Sequence, residues 1–273
     1  MKKPLVPLVA TLVVVGLGVW YYLVQSRVAP SPPTVSIPLP SAPSAAPIPV
    51  PAPASVPPAS RYPVPSSSAA AASAALPSLG ASDSALRAAL SGLIGADAVK
   101  AFLAPDDLIR RIVVTVDNLP RSKIPYGRLP VDAAPGNFLV QGGGGHASLD
   151  ARNYARYTPM VAVIGKLDMQ ALADVYFHFY PLFQSAYQDL GYPNGYFNDR
   201  LIKVIDLLLA TPQPRGQIEL VQPKVLYHFA DPRLDALAAG QKLLIRMGPA
   251  NEAILKAKLS ELRAALTAAP VGH

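Results

Sequence analysis

The sequence predicts an all-α globular domain of seven or more helices, which follows an N-terminal transmembrane helix and a proline-rich linker. Three observations lead to this fold class. From residue 82 onward, apolar residues recur at the 3.6-residue period of amphipathic helices. Residues 5–24 are almost wholly apolar and carry no charge. Residues 30–65 contain 14 prolines, whose missing backbone N–H groups prevent regular helices and sheets.

Residues 5–24 are predicted to cross a membrane, because twenty helical residues span the ~30 Å hydrocarbon layer. Two lysines precede the run, which predicts a cytoplasmic N-terminus and places the rest of the chain on the other side. The alternative is a cleaved signal peptide. Cleavage at Ala29 fits poorly, because an arginine stands two residues before it and a proline follows it. We therefore expect an uncleaved anchor over residues 1–27.

Residues 28–78 are predicted to be a disordered linker rich in proline, alanine and serine. An extended chain at ~3.1 Å per residue would let residues 30–65 reach on the order of 110 Å. The linker is either a spacer that holds the domain away from the membrane or a connector of no particular length. Docking of a partner on its prolines has weak support, since any proline-dense stretch contains such spacings. The globular domain is expected over residues 79–267 and a tail over residues 268–273.

The first helices of the domain are indicated by caps and apolar stripes. Ser82 is expected to cap a helix that stops at Gly95, and residues 97–103 form a short helix. Pro105 is expected to open the next helix, where its missing N–H costs nothing, and this helix ends before Pro120. The apolar stripe of this helix consists of Leu108, Ile109, Ile112, Val113 and Val116.

Residues 121–150 are rich in proline and glycine and predict an irregular loop. Residues 137–141 are its only strand-like piece. The glycine run at 142–145 is not a phosphate loop, because no Gly-Lys-Ser/Thr follows it. The pair Thr158-Pro159 is typical of a helix start, so a helix is expected to begin there.

The second half of the domain is predicted to be helical throughout. Asp168 is expected to cap the longest helix, which is kinked at Pro181 and ends at Gly191. Residues 196–210 are apolar nearly all round, which places their helix at the centre of the fold. Residues 223–229 are expected to form a short helical piece.

Three further sequence signals mark helix boundaries in the C-terminal part of the domain. The pair Asp231-Pro232 predicts a capped helix, and Gly240 is expected to interrupt the helical pattern. Pro249 is expected to open a final amphipathic helix. The inward residues of this helix are Leu255, Leu259, Leu262 and Leu266.

Composition and charge exclude several classes of protein and site. The chain has no cysteine, which excludes disulfides, a cysteine nucleophile and a cysteine-based zinc site. Of the net charge of +7, residues 1–62 contribute +4 and the remainder only +3, because there 20 basic residues are interspersed with 17 acidic ones. A nucleic-acid partner is therefore not expected. None of the 4 histidines lies three or four positions from another, so the sequence has no local two-histidine metal pair and no metal site is predicted. It also has no dinucleotide-binding fingerprint, and no cofactor is predicted.

Five long blocks of unusual composition lie between residues 79 and 267. The blocks are Phe102–Arg121, Asn153–Pro159, Gly191–Leu201, Pro223–Asp231 and Ala239–Asn251. Together with the anchor and the proline-rich stalk, they resemble the bacterial domain-of-unknown-function family 3014. The resemblance implies a bacterial envelope protein and supplies no assigned activity or catalytic residue. With the predicted anchor it leads us to expect a single-pass protein of the bacterial inner membrane, with its C-terminal domain in the periplasm.

A tyrosine-rich region is the predicted contact surface, since seven of the 12 tyrosines fall within residues 154–196. Tyrosines suit the binding of sugars, peptides or a partner helix, and they equally suit the wall of a helical core. Arg200 could hold a carboxylate or phosphate in a fork, or it could form a buried salt bridge between helices. Lys224 lies at an expected helix start, an unfavourable place for a cation. The candidate binding residues are Tyr192, Tyr196, Asn198, Asp199, Arg200 and Lys224.

Catalytic chemistry has less support in the sequence. His178 lies four residues after Asp174, so the two could be a general base and its orienting group, or an ordinary pair on a solvated helix face. No nucleophile or second carboxylate is visible in register with them. We therefore assign no catalytic residue.

The architecture favours a membrane-anchored periplasmic interaction module that binds an envelope protein or a cell-wall component. The first alternative is an envelope enzyme that uses Asp174 and His178, or Asp199 and Arg200. The second is a carrier of a small molecule or lipid, with a pocket between helices that the kink at Pro181 opens.

Overall fold

The computed structural model describes residues 59–65, 76–143 and 147–268. These residues all belong to one compact unit, residues 55–273. The part that is described is mostly helical, as predicted, and within it no helix combines the length and the apolar character that a membrane crossing requires. The predicted span at residues 5–24 lies outside the described residues.

Nine α-helices lie in the described ranges, together with four short strands and three 3₁₀ turns. The helices are α1 (Asp83–Ile94), α2 (Ala96–Phe102), α3 (Leu108–Asn118), α4 (Thr158–Lys166), α5 (Met169–Asp189), α6 (Phe197–Leu209), α7 (Pro232–Asp235), α8 (Ala239–Met247) and α9 (Pro249–Thr267). The strands are β1 (Val140–Gln141), β2 (Ala147–Leu149), β3 (Glu219–Val221) and β4 (His228–Phe229). The 3₁₀ turns are Leu79–Ala81, Tyr126–Arg128 and Ala151–Arg156.

Several predicted helix boundaries are confirmed. The Asp168 carboxylate accepts hydrogen bonds from the first backbone N–H groups of α5, which continues through Pro181. Asp231 caps α7 in the same way, and Pro249 stands in the first turn of α9. Charged caps of this kind satisfy N–H groups that have no partner inside the helix.

The main core lies between α1, α3, α5, α6 and α9. Helix α6 contributes Phe197, Ile202 and Val204, each no more than 1% exposed, as its largely apolar sequence predicts. Aromatic rings of α5 surround Phe197, and the ring of Phe183 stacks on it with centroids 5.7 Å apart. The start of α6 is therefore fixed inside the core.

The strands form a feature that the all-α prediction missed. They make one antiparallel sheet in the order β1-β2-β3-β4. A second, smaller core lies beneath it, where Leu149, Leu220 and Phe229 pack with Ile245 of α8. Each strand has two or three residues, which is too short for the alternating pattern that predicts a strand.

Two helix predictions are wrong. The predicted helical piece at 223–229 is the loop and second strand of the β3–β4 hairpin. Helix α3 begins at Leu108, not at Pro105. Its cap comes from a distant residue, because the Asp83 carboxylate accepts from the backbone N–H groups of Asp107 (2.6 Å) and Leu108 (2.9 Å). Local sequence cannot reveal a cap supplied from another helix.

Two glycines are placed where a side chain would not fit. Gly240 does not interrupt the helical pattern as predicted but lies in the first turn of α8, where a Cβ would press on side chains of Leu119 and Leu208. Gly248 separates α8 from α9 with a φ of +86°, and a Cβ there would overlap the ring of Tyr154. The α8–α9 corner therefore requires glycine for both its backbone conformation and its packing.

We expect Gly248→Ala to lower the free energy of unfolding by about 3 kcal/mol or more in chemical denaturation. The strain of a positive φ costs about 1–2 kcal/mol, and the overlap with the Tyr154 ring adds an overpacking cost. Gly216→Ala is the matched control, because Gly216 has a φ of +77° and open space around it. Equal losses in the two variants would contradict the close packing at Gly248.

Candidate functional site

Five of the six predicted binding residues lie at or just before the start of α6, which a glutamine of α5 helps to hold in place. The Gln184 side chain donates to the carbonyl of Gly195 (2.7 Å) and accepts from the backbone N–H of Phe197 (2.9 Å). It also accepts from the Tyr180 hydroxyl at 3.0 Å. Gln184 thus satisfies the first backbone N–H of α6, which has no partner inside the helix, and ties the start of α6 to α5.

Asp199 binds a segment from the N-terminal side of the domain. Residues 59–65, here called the docking segment, lie within the predicted linker. The Asp199 carboxylate accepts from the Ser60 hydroxyl (3.0 Å) and from the backbone N–H groups of Arg61 (2.9 Å) and Tyr62 (2.8 Å). Bonds to a charged acceptor are the stronger kind, so this carboxylate is the main attachment point of the docking segment.

Asn198 completes the attachment from inside the core. Its side chain is fully buried, and its Nδ2 donates to the Tyr62 carbonyl at 2.8 Å. Its Oδ1 accepts from the Tyr176 hydroxyl at 3.2 Å. Burial raises the pKa of Tyr176 well above its usual value and that of Tyr180 to about 12. Both phenols therefore remain neutral hydrogen-bond donors at neutral pH.

Arg200 points to a buried acid, Asp117 of α3. Its Nη2 lies 3.0 Å from Asp117 Oδ1 and donates to the Asp117 backbone carbonyl at 2.7 Å. Arg121 donates to Asp117 Oδ2 at 2.6 Å, and the Tyr192 hydroxyl lies 3.3 Å from the same oxygen. The Tyr192 ring stacks on Tyr187 of α5 with centroids 4.6 Å apart. This Asp117 cluster ties α3, α5 and α6 together.

The start of α6 is therefore occupied by contacts within the chain. Asp199 and Arg200, which the enzyme hypothesis pairs, belong to separate networks. The other candidate pair does not meet: Asp174 accepts from Gln170 at 3.2 Å, and the exposed His178 ring lies edge-on to Phe179. No group of three potential metal ligands occurs among the described residues.

The remaining two predicted residues lie outside these networks. Tyr196 precedes α6 and is 36% exposed. Lys224 lies on the exposed loop of the β3–β4 hairpin, a different element from the other five. There its neighbours Val225 and Leu226 are 84% and 69% exposed, and Val221 is also largely exposed. We call Val221, Lys224, Val225 and Leu226 the hairpin surface.

The base of the hairpin is firmly held beneath this surface. Arg246 of α8 donates to the Tyr227 carbonyl at 2.9 Å, and its guanidinium lies over the ring of Phe229 at 5.2 Å. At the tip, the Gln222 side chain donates to the Val225 carbonyl at 3.0 Å. The exposed aliphatic side chains thus stand on a hairpin whose base is held to α8.

Sequence reasoning missed the docking segment and the hairpin surface. Arg61 is the only charged residue and Tyr62 the only aromatic one within the proline-rich residues 30–65, and this change of composition marks a segment with contacts of its own. For Val225 and Leu226 the sequence offered no comparable signal. Their exposure depends on a hairpin whose strands are too short to predict.

A family model described as protein of unknown function (DUF3014) matches residues 108–263, which is more than half of the chain. The chain belongs to the DUF3014 family. No curated protein and no solved structure matches it. The DUF3014 match begins with α3 and includes the Asp117 cluster, Asn198, Asp199 and the hairpin surface, while the docking segment precedes it.

We expect Asp199→Asn to loosen the docking segment, because the amide removes the charge that holds three consecutive donors. Loss of charge-assisted bonds at about 1.5–3 kcal/mol predicts trypsin cleavage after Arg61 that is about 10- to 100-fold faster. Asp189→Asn is the matched control, since Asp189 is exposed at the end of α5. Unchanged cleavage in Asp199→Asn would refute the attachment.

We expect Asp117→Asn to lower the free energy of unfolding by about 3 kcal/mol, because it leaves the Arg200 guanidinium without its buried counterion. Urea denaturation measures the change. Asp106→Asn removes a comparable pair with Arg111, in which the aspartate side chain is 68% exposed, and should cost less than about 1 kcal/mol. A loss for Asp117→Asn as small as that of the control would show that the Asp117 cluster stabilises little.

Proposed function

We propose that this protein is a tethered interaction module of the bacterial envelope that binds a protein partner through the hairpin surface. The observation that carries the proposal is the exposure of Val225 (84%) and Leu226 (69%) in a domain whose large apolar side chains are mostly buried or half-buried. Adjacent exposed aliphatic residues on a firmly held hairpin favour association, because a partner would remove their apolar area from water.

The chemistry of the hairpin surface favours a protein over the cell wall. Glycan strands are recognised by polar groups and by flat aromatic rings, whereas Val221, Val225 and Leu226 offer only aliphatic contact. An apolar groove on a protein suits these side chains, and Lys224 beside them could pair with an acid at the rim of that groove. The predicted Lys224 site thus becomes part of a larger surface.

Because the domain is tethered to the membrane, a small contact surface is sufficient for binding a partner. The proposal takes from the sequence the inner-membrane anchor at residues 5–24 and the periplasmic location of the domain. A tethered partner is held at a high effective concentration, so weak binding is enough. The bonds between Asp199 and the docking segment fix the point at which the proline-rich stretch joins the domain.

We expect the double variant Val225→Ser/Leu226→Ser to weaken partner binding by about 10- to 100-fold, since each exposed side chain contributes on the order of 1 kcal/mol or more when buried. Envelope proteins recovered with the full-length chain would be quantified by mass spectrometry. The partner is the protein whose recovery falls in this variant while the melting temperature stays unchanged.

Two control variants separate this surface from the others. Ile254→Ser removes a 41% exposed aliphatic side chain of α9, and Tyr196→Ala tests the predicted tyrosine surface. Recovery should remain at the wild-type level in both. The proposal fails if no protein depends on Val225 and Leu226, or if a control variant causes an equal loss.

A further inference from the structure

An apolar cavity of about 180 Å³ lies inside the main core, between α1, α3, α5, α6 and α9. Its floor is formed by the rings of Tyr176, Phe183 and Phe197, which are buried. Its rim includes the half-buried side chains of Leu90, Leu172 and Leu201. The cavity therefore has a closed base and opens toward the surface between leucines.

The cavity is a pocket with a wholly apolar lining that opens to the surface. Concave apolar pockets between helices are typical places for small ligands to bind. The described residues place no polar group in its lining, and the Tyr176 hydroxyl is turned to Asn198. A stable water needs two to four polar partners, so water is a poor occupant.

We propose that this cavity binds a hydrocarbon group about the size of one aromatic ring. An engineered cavity of about 150 Å³ lined by Leu, Ile and Phe, in another protein, stays dry and binds benzene. The cavity described here has a similar volume and lining, and it differs in opening to the surface, which gives a ligand a way in. The group could belong to a free small hydrocarbon or to the end of an acyl chain that enters between the leucines of the rim. This site is independent of the hairpin surface.

The test measures the melting temperature of the full-length chain in lipid nanodiscs with benzene and, separately, with octanoate. A ligand at about ten times its dissociation constant should raise the melting temperature by about 3 °C. A shift with benzene alone assigns the site to a free hydrocarbon. A shift with octanoate assigns it to an acyl chain.

Variants in which a larger side chain fills the cavity show whether the ligand binds there. Leu201→Phe should abolish the shift, because Leu201 lines the cavity, and Val175→Leu fills it more mildly if the larger ring disturbs folding. Leu209→Phe is the control, since Leu209 packs on the same core from the same helix but away from the cavity. The proposal is overturned if neither ligand shifts the wild-type protein, or if the filled variants respond as strongly as Leu209→Phe.

Discussion

The structure depends on three consecutive polar residues in the first turn of a largely apolar helix. Asn198, Asp199 and Arg200 lie at the start of α6 and together reach α5, the docking segment and α3. Polar groups at such a place must be satisfied internally, since leaving one unpaired costs about 1–3 kcal/mol. They bind Tyr176 of α5, the docking segment and Asp117 of α3. A cluster of polar side chains resembles a binding site in the sequence. In the fold, the need to pair these groups makes them structural attachments.

The hydrophobic period located most helices, because α5, α6 and α9 each pack a long apolar face against the main core. It could not reveal the sheet, whose cohesion comes from pairing across distant segments such as Ala147 with Leu220. The start of α3 also escaped prediction, since Asp83 caps it from another helix. For the candidate site, residue types drew attention to residues 192–200 as a contact surface, but Ser60 and Asp117, the partners of Asp199 and Arg200, are set by the tertiary fold.

The proposed function uses exposed side chains, because the polar candidates at the start of α6 are already engaged in contacts within the chain. The polar side chains at the start of α6 bind the chain itself, while Val225 and Leu226 face solvent. Arg246 holds the hairpin that carries them, at the Tyr227 carbonyl and over the Phe229 ring. A firmly held base beneath an apolar tip is the arrangement expected of a surface that binds without large rearrangement. The apolar cavity beside α6 is a second candidate binding site, and the ligand proposed for it is a hydrocarbon group.

Amide hydrogen exchange of the wild-type chain tests most directly whether α6 fixes the proline-rich stretch to the domain. Two charge-assisted bonds to Asp199 should slow exchange of the Arg61 and Tyr62 amides by about 100-fold or more relative to an unstructured chain. Protection of these two amides would establish residues 59–65 as part of the folded unit. Exchange at the unstructured rate would contradict the account, because Asn198 and Asp199 would then be free to bind something else.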